Sequence, residues 1–468
     1  GEVRVGVGED IWPLTGEGPT SRHFAAGELN AGVYEPLVSL APDLTLRPGL
    51  AERWEMTGPT TWRFHLRPNV TFHDGRRFGA DDVVWSWRRE ALIRSVAATL
   101  DKVVKVDDLT VDFVTTAPNR RLPEQLVHPE GPIVPNGRHN DAEPPAGTGP
   151  FRVVEYEPRR RLVVERFDGY WGAKARAERV TFKFLPDTDV RLEALRGGEV
   201  DIMTGVPRER AAAIQGEGFS LVRAAPGATQ ILSLNPSGPL ADERAVRQAV
   251  SLAVDRARYV AQVLGGNGEP GRWISPPAVL GAAAQSVDPP VFDPAGAARV
   301  LDEAGWKPGA DGVRTKGARR LDLVLLGGPA APEAGLQLVA AQLEDVGIRA
   351  NVRKAFDIRT AEENRRRGYD VELATTNQND ANPAFLVASR DASGAEYPAL
   401  AARALTAATR EEAQQAAADM TRILVNREFL VLPLASVSHI HAMHRGVELG
   451  EPHPSAINQT WATLVPPR

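Results

Sequence analysis

Two stretches of this sequence carry the side chains best suited to holding another molecule. Asn377-Gln-Asn-Asp-Ala-Asn382 packs four carboxamides and a carboxylate into six residues. A carboxamide donates and accepts hydrogen bonds without net charge, so the run suits a ligand rich in amide, hydroxyl or sugar-like groups. Its plain alternative is a solvated loop. The second stretch is Ser438-His-Ile-His-Ala-Met-His444. Residues two apart share one face of a strand, so His439 and His441 have the spacing with which two imidazoles share a metal. We read them as packed or surface histidines, with a metal site as the alternative. Trp12 sits in a glycine-rich loop after the first strand-like segment, where it either lines a binding site or packs on its own domain.

Reaction chemistry is harder to find. The chain has no cysteine, which removes disulfides, thiolate nucleophiles and thiolate metal sites together. The sequence has no nucleophile elbow, phosphate-binding loop, dinucleotide-binding glycine pattern or zinc His-Glu motif. Gly6-Val-Gly8 comes nearest and lacks the third glycine. We therefore expect a binding protein rather than an enzyme, with no cofactor. A net charge of −5 over 468 residues offers no polyanion-binding face, which argues against nucleic acid. No run of 18 apolar residues occurs that could span a membrane as a helix.

Positioning such residues needs a large scaffold. A chain of 468 residues exceeds one compact core, so two or three packed units are expected. Val3–Val7 reads as a strand. Trp62, Phe64 and Leu66 alternate with Arg63, His65 and Arg67, which predicts a half-buried strand. Asp74-Gly75 marks a hairpin turn, and Ala80-Asp-Asp82 opens a helix carrying Val83, Val84, Trp87 and Leu92. Proline and glycine dominate from 129 to 150, which predicts loop. Strands follow at 151–156, 162–166 and 179–185, then a helix over 187–196 that Gly197-Gly198 stops. Beyond about residue 225, helical segments alternate with strands at 231–234, 321–326, 349–353 and 430–437, the pattern of an α/β unit. Ala304-Gly-Trp306 reads as a helix stop with the tryptophan folded back.

Four groups of residues, in order along nearly the whole chain, resemble the family 5 extracellular solute-binding proteins, which serve peptide and nickel ABC importers. The first is Thr61-Trp-Arg-Phe-His-Leu-Arg-Pro-Asn-Val-Thr-Phe-His-Asp-Gly75 with Phe78-Gly-Ala-Asp-Asp-Val-Val84. The second is Gly147-Thr-Gly-Pro-Phe151 with Tyr170-Trp-Gly172. Leu234-Asn235 with 245–256 and Phe292-Asp-Pro294 with 301–306 complete the set. Val33-Tyr-Glu-Pro-Leu37 and the stretch 434–450 are most similar to nickel-type members.

The resemblance implies an α/β, two-lobe periplasmic-binding-protein-like fold (type II, cluster C) with an extra subdomain in lobe I. Lobe I would hold 1–225 and 436–468, the subdomain about 39–145, and lobe II 226–435. Crossings near 225 and 435 would form a hinge, and closure would trap the ligand. His65 and His73, in the signature hairpin, are expected to be structural.

Ligand residues are expected between the signature motifs, at the places from which related proteins aim side chains into the cleft. From lobe I these are Arg22, His23 and Glu28, Arg94, and His128 with Glu130. From lobe II they are Asn377, Asn379, Asp380 and Asn382. Trp12, Tyr397 and Ser436 complete the expected site. In peptide-binding relatives the lobe II loop carries a Trp and an ammonium-pairing Asp; here those positions fall on Thr376 and Asn379, with Asp380 one residue on. The turn that carries a key arginine in the nickel binder reads Pro129-Glu-Gly-Pro132.

The implied function is capture of a small peptide-like or amide- and hydroxyl-rich ligand for an ABC importer. A nickel or metal-chelate ligand is the alternative within the family, and a sensor for a membrane partner the alternative outside it. The implied partners are permease subunits, with the chain itself a monomer. The implied place is outside the cytoplasm, lipid-anchored through a leader and cysteine not contained in this sequence.

Overall fold

The computed structural model describes residues 1–8, 32–88, 99–127, 133–137, 146–224, 226–328, 331–355, 358–377, 395–450, 461 and 463–466. The chain divides into two compact units. Unit 1 contains Gly1–Ala225 and His439–Arg468; unit 2 contains Pro226–Gln378 and Pro383–Ser438.

Unit 1 is built on a seven-stranded sheet in the order Ser220–Arg223, Ile440–Met443, Ile202–Met203, Glu2–Val7, Arg179–Phe184, Arg161–Arg166, Phe151–Glu157. The opening strand runs parallel to both neighbours. Its alternating valines, Val3, Val5 and Val7, are buried with Phe151, Phe182 and Trp461. Arg4 donates to both oxygens of Asp201 at 3.1 and 2.7 Å, fixing the register of this strand beside Ile202–Met203.

A four-stranded antiparallel sheet, in the order Ala51–Gly58, Thr61–Leu66, Thr110–Thr115, Leu100–Asp107, is inserted between the first strand and the rest. Phe64 and Phe113 pack edge to face at 5.1 Å on its buried side. The helix Ala80–Ser86 that follows the Asp74-Gly75 turn begins at Gly79, whose amide donates to the Asp82 carboxylate at 2.8 Å. Gly75 adopts φ +86°, which a glycine takes without strain.

The insert is stitched to the main sheet through His73. The Gly147 amide donates to its Nδ1 at 3.1 Å, so Nε2 carries the proton and donates to the Gly149 carbonyl at 2.9 Å. Burial holds this imidazole at a pKa of about 4, hence neutral, as both bonds require. A Cβ at Gly147 would stand 1.9 Å from the Val33 carbonyl oxygen, so the turn admits only glycine. Glu35, just beyond, accepts from Thr148 Oγ1 at 2.8 Å, Tyr170 OH at 2.7 Å and Trp171 Nε1 at 2.8 Å. Burial pushes its carboxyl above the usual range, against the pull of those three donors.

Unit 2 has a six-stranded sheet in the order Glu269–Pro270, Val431–Val437, Ala228–Leu234, Val371–Asn377, Asp322–Gly327, Arg349–Lys354. Asp322–Gly327 runs parallel to both its neighbours. Its buried leucines pack with Val246, Val250, Leu336 and Leu343 of flanking helices. Asp370 caps three backbone amides, those of Leu240, Ala241 and Val324, at 2.7 to 3.0 Å.

The helix Pro294–Glu303 stops as its sequence predicts. Gly305 takes φ +88°, its amide donates to the Asp302 carbonyl, and the Trp306 amide donates to that of Leu301 at 2.9 Å. Trp306 is fully buried and its indole donates to Glu243 at 3.1 Å. Burying such a side chain contributes roughly 2–3 kcal/mol. One boundary differs from expectation: the strand ends at Val437 as read, paired with Ala228, but the crossing expected near 435 falls between Ser438 and His439.

Candidate ligand site

In an open sheet with parallel strands, ligands bind beyond the strands' carboxyl ends, where loops and unpaired backbone groups gather. Each unit has one such edge. In unit 1 it lies past Val7, Phe184 and Met203; in unit 2, past Gly327, Lys354 and Asn377.

The registers show that both chain crossings leave from these edges. Arg223 pairs with Ile440 at the unit 1 edge, just before Ala225 and just after His439. Ala228 pairs with both Asn377 and Val437 at the unit 2 edge. The segment 9–31 follows directly from the unit 1 edge at Gly8, and 378–394 from the unit 2 edge at Asn377.

The unit 1 edge is held by one buried guanidinium. Arg191, on the helix Thr188–Arg196, is 5% exposed. It donates to the carbonyls of Leu185 and Pro186 after one strand, to the Thr204 carbonyl at 3.1 Å after another, and to Thr188 Oγ1 at 3.4 Å. An added Cβ at Gly8, after the third strand, would stand 2.9 Å from its Nη1. Desolvation lowers its pKa, with Asp187 opposing; the charge is met by backbone dipoles rather than a salt bridge. Arg191 was not among the residues expected from sequence. Nothing in its spacing reveals that it turns back onto the strand ends.

Most of the expected ligand residues lie outside the described residues: Trp12, Arg22, His23, Glu28, Arg94, His128, Glu130, Asn379, Asp380 and Asn382. Asn377 is described as the last residue of its strand, opposite Ala228. Tyr397 lies on the helix Glu396–Thr406 and is fully buried against a core that includes Ile231, Ile274 and Met420, so it presents no surface here. Ser436 lies on Val431–Val437 opposite Thr229, at the unit 2 edge.

His439 and His441 flank Ile440 at the second crossing. His441 is buried with Trp461 at 6.5 Å between ring centroids. Its pKa is lowered by burial to about 4, and that of His439 to about 4 by burial, then by His441 and Arg208. Neutral imidazoles are metal-competent, but the Arg208 guanidinium opposes a cation. Among the described residues no group of three or more His, Asp or Glu gathers to hold a metal. No helix among them is long and apolar enough to cross a membrane.

Comparison with known proteins places this architecture. The chain is 30% identical over 298 residues to the dipeptide-binding protein of Escherichia coli K12, covering 56% of this chain and 55% of that one. It is 27% identical over 361 residues to the nickel-binding periplasmic protein of the same organism, covering 72% and 68%. The matched region thus spans little more than half the length of the first of these relatives. NikA from Brucella suis, solved in complex with Fe(III)-EDTA, superposes with a TM-score of 0.86 at 25% identity over 100% of both chains. A dipeptide-binding protein from Pseudoalteromonas sp. SM9913, solved with Met-Leu, gives 0.83 at 18% identity over 99% of this chain, which speaks to the fold. These neighbours are two-lobe periplasmic binding proteins, as the signature motifs implied. The profile of the bacterial extracellular solute-binding proteins, family 5, matches residues 45–396, and the chain belongs to that family.

Proposed function

We propose that this protein captures a small peptide-like or amide- and hydroxyl-rich solute outside the cytoplasm and delivers it to an ABC importer. The observation that carries the reading is the match of the family 5 solute-binding profile over residues 45–396, together with the 30% identity to a dipeptide-binding protein. Two features of the chain support it. Both crossings leave from the carboxyl edges at which ligands bind. Two short backbone links between compact units suit a hinge that closes on a ligand by rigid-body rotation.

The ligand residues we assign are Trp12, Arg22, His23, Glu28, Arg94, His128 and Glu130 from the segments read as lobe I, with Asn377, Asn379, Asp380, Asn382 and Ser436 from those read as lobe II. Binding free energy that appears only on closure drives the closed state, and no step of the cycle changes the solute chemically. Permease subunits are the membrane partner. The chain acts as a monomer held at the outer face of the membrane by a lipid anchor.

A metal chelate is the second reading, favoured by the fold match to NikA with Fe(III)-EDTA. Calorimetric titration of ligand-stripped protein with di- to pentapeptides and with nickel-histidine separates the two. One-to-one peptide binding supports the first reading; binding of nickel-histidine alone supports the second. Replacing Asp380 by Ala weakens peptide binding if its carboxylate meets the ligand's ammonium group, and unchanged affinity removes it from the site.

A further inference from the structure

The Gly6-Val-Gly8 pattern, which the solute-capturing reading leaves without a use, has one in the structure. It stands at the exit of the strand Glu2–Val7, between the exits of two parallel neighbours. Backbone bonds join the three exits in pairs: the Leu185 amide donates to the Val7 carbonyl at 2.8 Å, and the Thr204 amide to the Gly6 carbonyl at 3.0 Å. Past these bonds the Arg191 guanidinium bridges the outer two. Its Nη1 donates to the Leu185 carbonyl after one neighbour, and its Nε to the Thr204 carbonyl at 3.1 Å after the other. The two glycines make room for it. A Cβ at Gly6 would stand 3.2 Å from the Arg191 Cγ, and one at Gly8 2.9 Å from its Nη1. Glycines of the kind that let a backbone approach a phosphate here admit the chain's own cation.

A guanidinium seated there fixes the chain as it leaves the sheet at Gly8, and 9–31, with Trp12, Arg22, His23 and Glu28, continues from that point. Resting on the solute-capturing reading above, we propose that Arg191 is a positioning residue of the ligand site. It touches no solute; it sets affinity by holding the root of 9–31 in place before the solute arrives. Order present before binding spares the cost of ordering on binding. At 5% exposure the group acts through the backbone it bonds rather than by contact. Its bonds go to the edge beyond which ligands bind in such sheets. A buried arginine of unit 2 supplies the contrast. Arg247 is 4% exposed and donates to the carbonyls of Ala241, Asp242 and Glu428 at 2.9 to 3.0 Å. Glu428 precedes Val431, at the opposite end of the unit 2 sheet from Asn377. Arg247 therefore does the same chemistry away from a ligand-binding edge.

The test titrates ligand-stripped full-length protein calorimetrically with Met-Leu and with nickel-histidine. Wild type is compared with Arg191→Lys, Gly8→Ala, the two combined, and Arg247→Lys, each well below its own Tm. A lysine keeps the charge but cannot bridge both exits, and the alanine displaces the guanidinium from its seat. Each is expected to weaken binding of the probe that wild type takes roughly tenfold. The double variant binds no more weakly than the weaker single, since both changes act at one seat. Arg247→Lys lowers Tm as Arg191→Lys does and binds as wild type does. Gly8→Ala, which removes no side-chain donor, carries the test where Arg191→Lys does not fold. Unchanged affinity in either folded single variant overturns the positioning role and leaves the solute-capturing reading intact. Additive losses in the double variant, or an equal loss in Arg247→Lys, overturn it too. Wild-type protein that binds neither probe overturns both.

Discussion

The two carboxyl edges are finished in opposite ways. In unit 1, Arg191 spends its guanidinium on the carbonyls of Leu185, Pro186 and Thr204, so the loop roots are bonded to one another. In unit 2, the Thr376 hydroxyl donates to the Thr229 carbonyl at 3.2 Å, and Ser275, fully buried, has an Oγ without a hydrogen-bond partner among the described residues. A satisfied edge is a rigid platform; an unsatisfied one has bonds still to offer. The contrast is between loop roots tied together by one guanidinium and a buried hydroxyl left without a bond.

The sharpest way to break this comparison is Arg191→Met. It leaves three carbonyls and a hydroxyl without their donor, and we expect a loss of about 3–4 kcal/mol in urea-induced unfolding. A loss below about 1 kcal/mol would mean the unit 1 edge is not held by this residue.

Acid sharpens the comparison further. Every histidine of the chain lies in unit 1 by sequence. His73, His439 and His441 are depressed to about 4 by burial. A folded-state pKa below the unfolded value of 6.5 means that stability is full above about pH 6.5 and is lost as pH falls toward 4. Each of these histidines contributes on the order of 2–3 kcal/mol to that loss. Hydrogen exchange at pH 4.5 should therefore show protection falling in unit 1 before unit 2. His441→Phe should flatten the pH dependence of Tm. Loss of protection that begins in unit 2 would contradict this ordering.

Smaller effects follow at the stitching points. Glu35→Gln keeps one acceptor of the carboxylate and turns an amide toward the remaining donors. We expect a cost of about 1–2 kcal/mol, read as a lower midpoint in urea. The smallest effect belongs to unit 2: Thr229→Val in the unliganded protein should shift stability by less than about 0.5 kcal/mol, because no bond is lost.

What the sequence made legible were the places where backbone geometry dictates residue type. Gly75 and Gly305 with Trp306 could be read as turn and helix stop, since glycine takes a positive φ without strain. The two-lobe fold followed from the family resemblance that the ordered motifs carry. Less legible were the residues whose role depends on what lies across a sheet. Arg191 and Asp187 look like an ordinary helix opening. Thr229 and Ser275 look like filler in buried segments, and Glu35 like texture beside a proline. Trp461, buried against Phe182 and His441, drew no attention because its partners are distant in sequence. The crossing at Ser438–His439 rather than at about 435 was hidden for the same reason: Val437 still pairs with Ala228, and nothing local marks that pairing.

The measurement that bears most directly on the whole account is titration of ligand-stripped protein with peptides, followed by mass spectrometry of the recovered solute. The account predicts saturable one-to-one binding and a solute returned with its mass unchanged. A chain that binds none of the peptides, or returns one cleaved or modified, would contradict it.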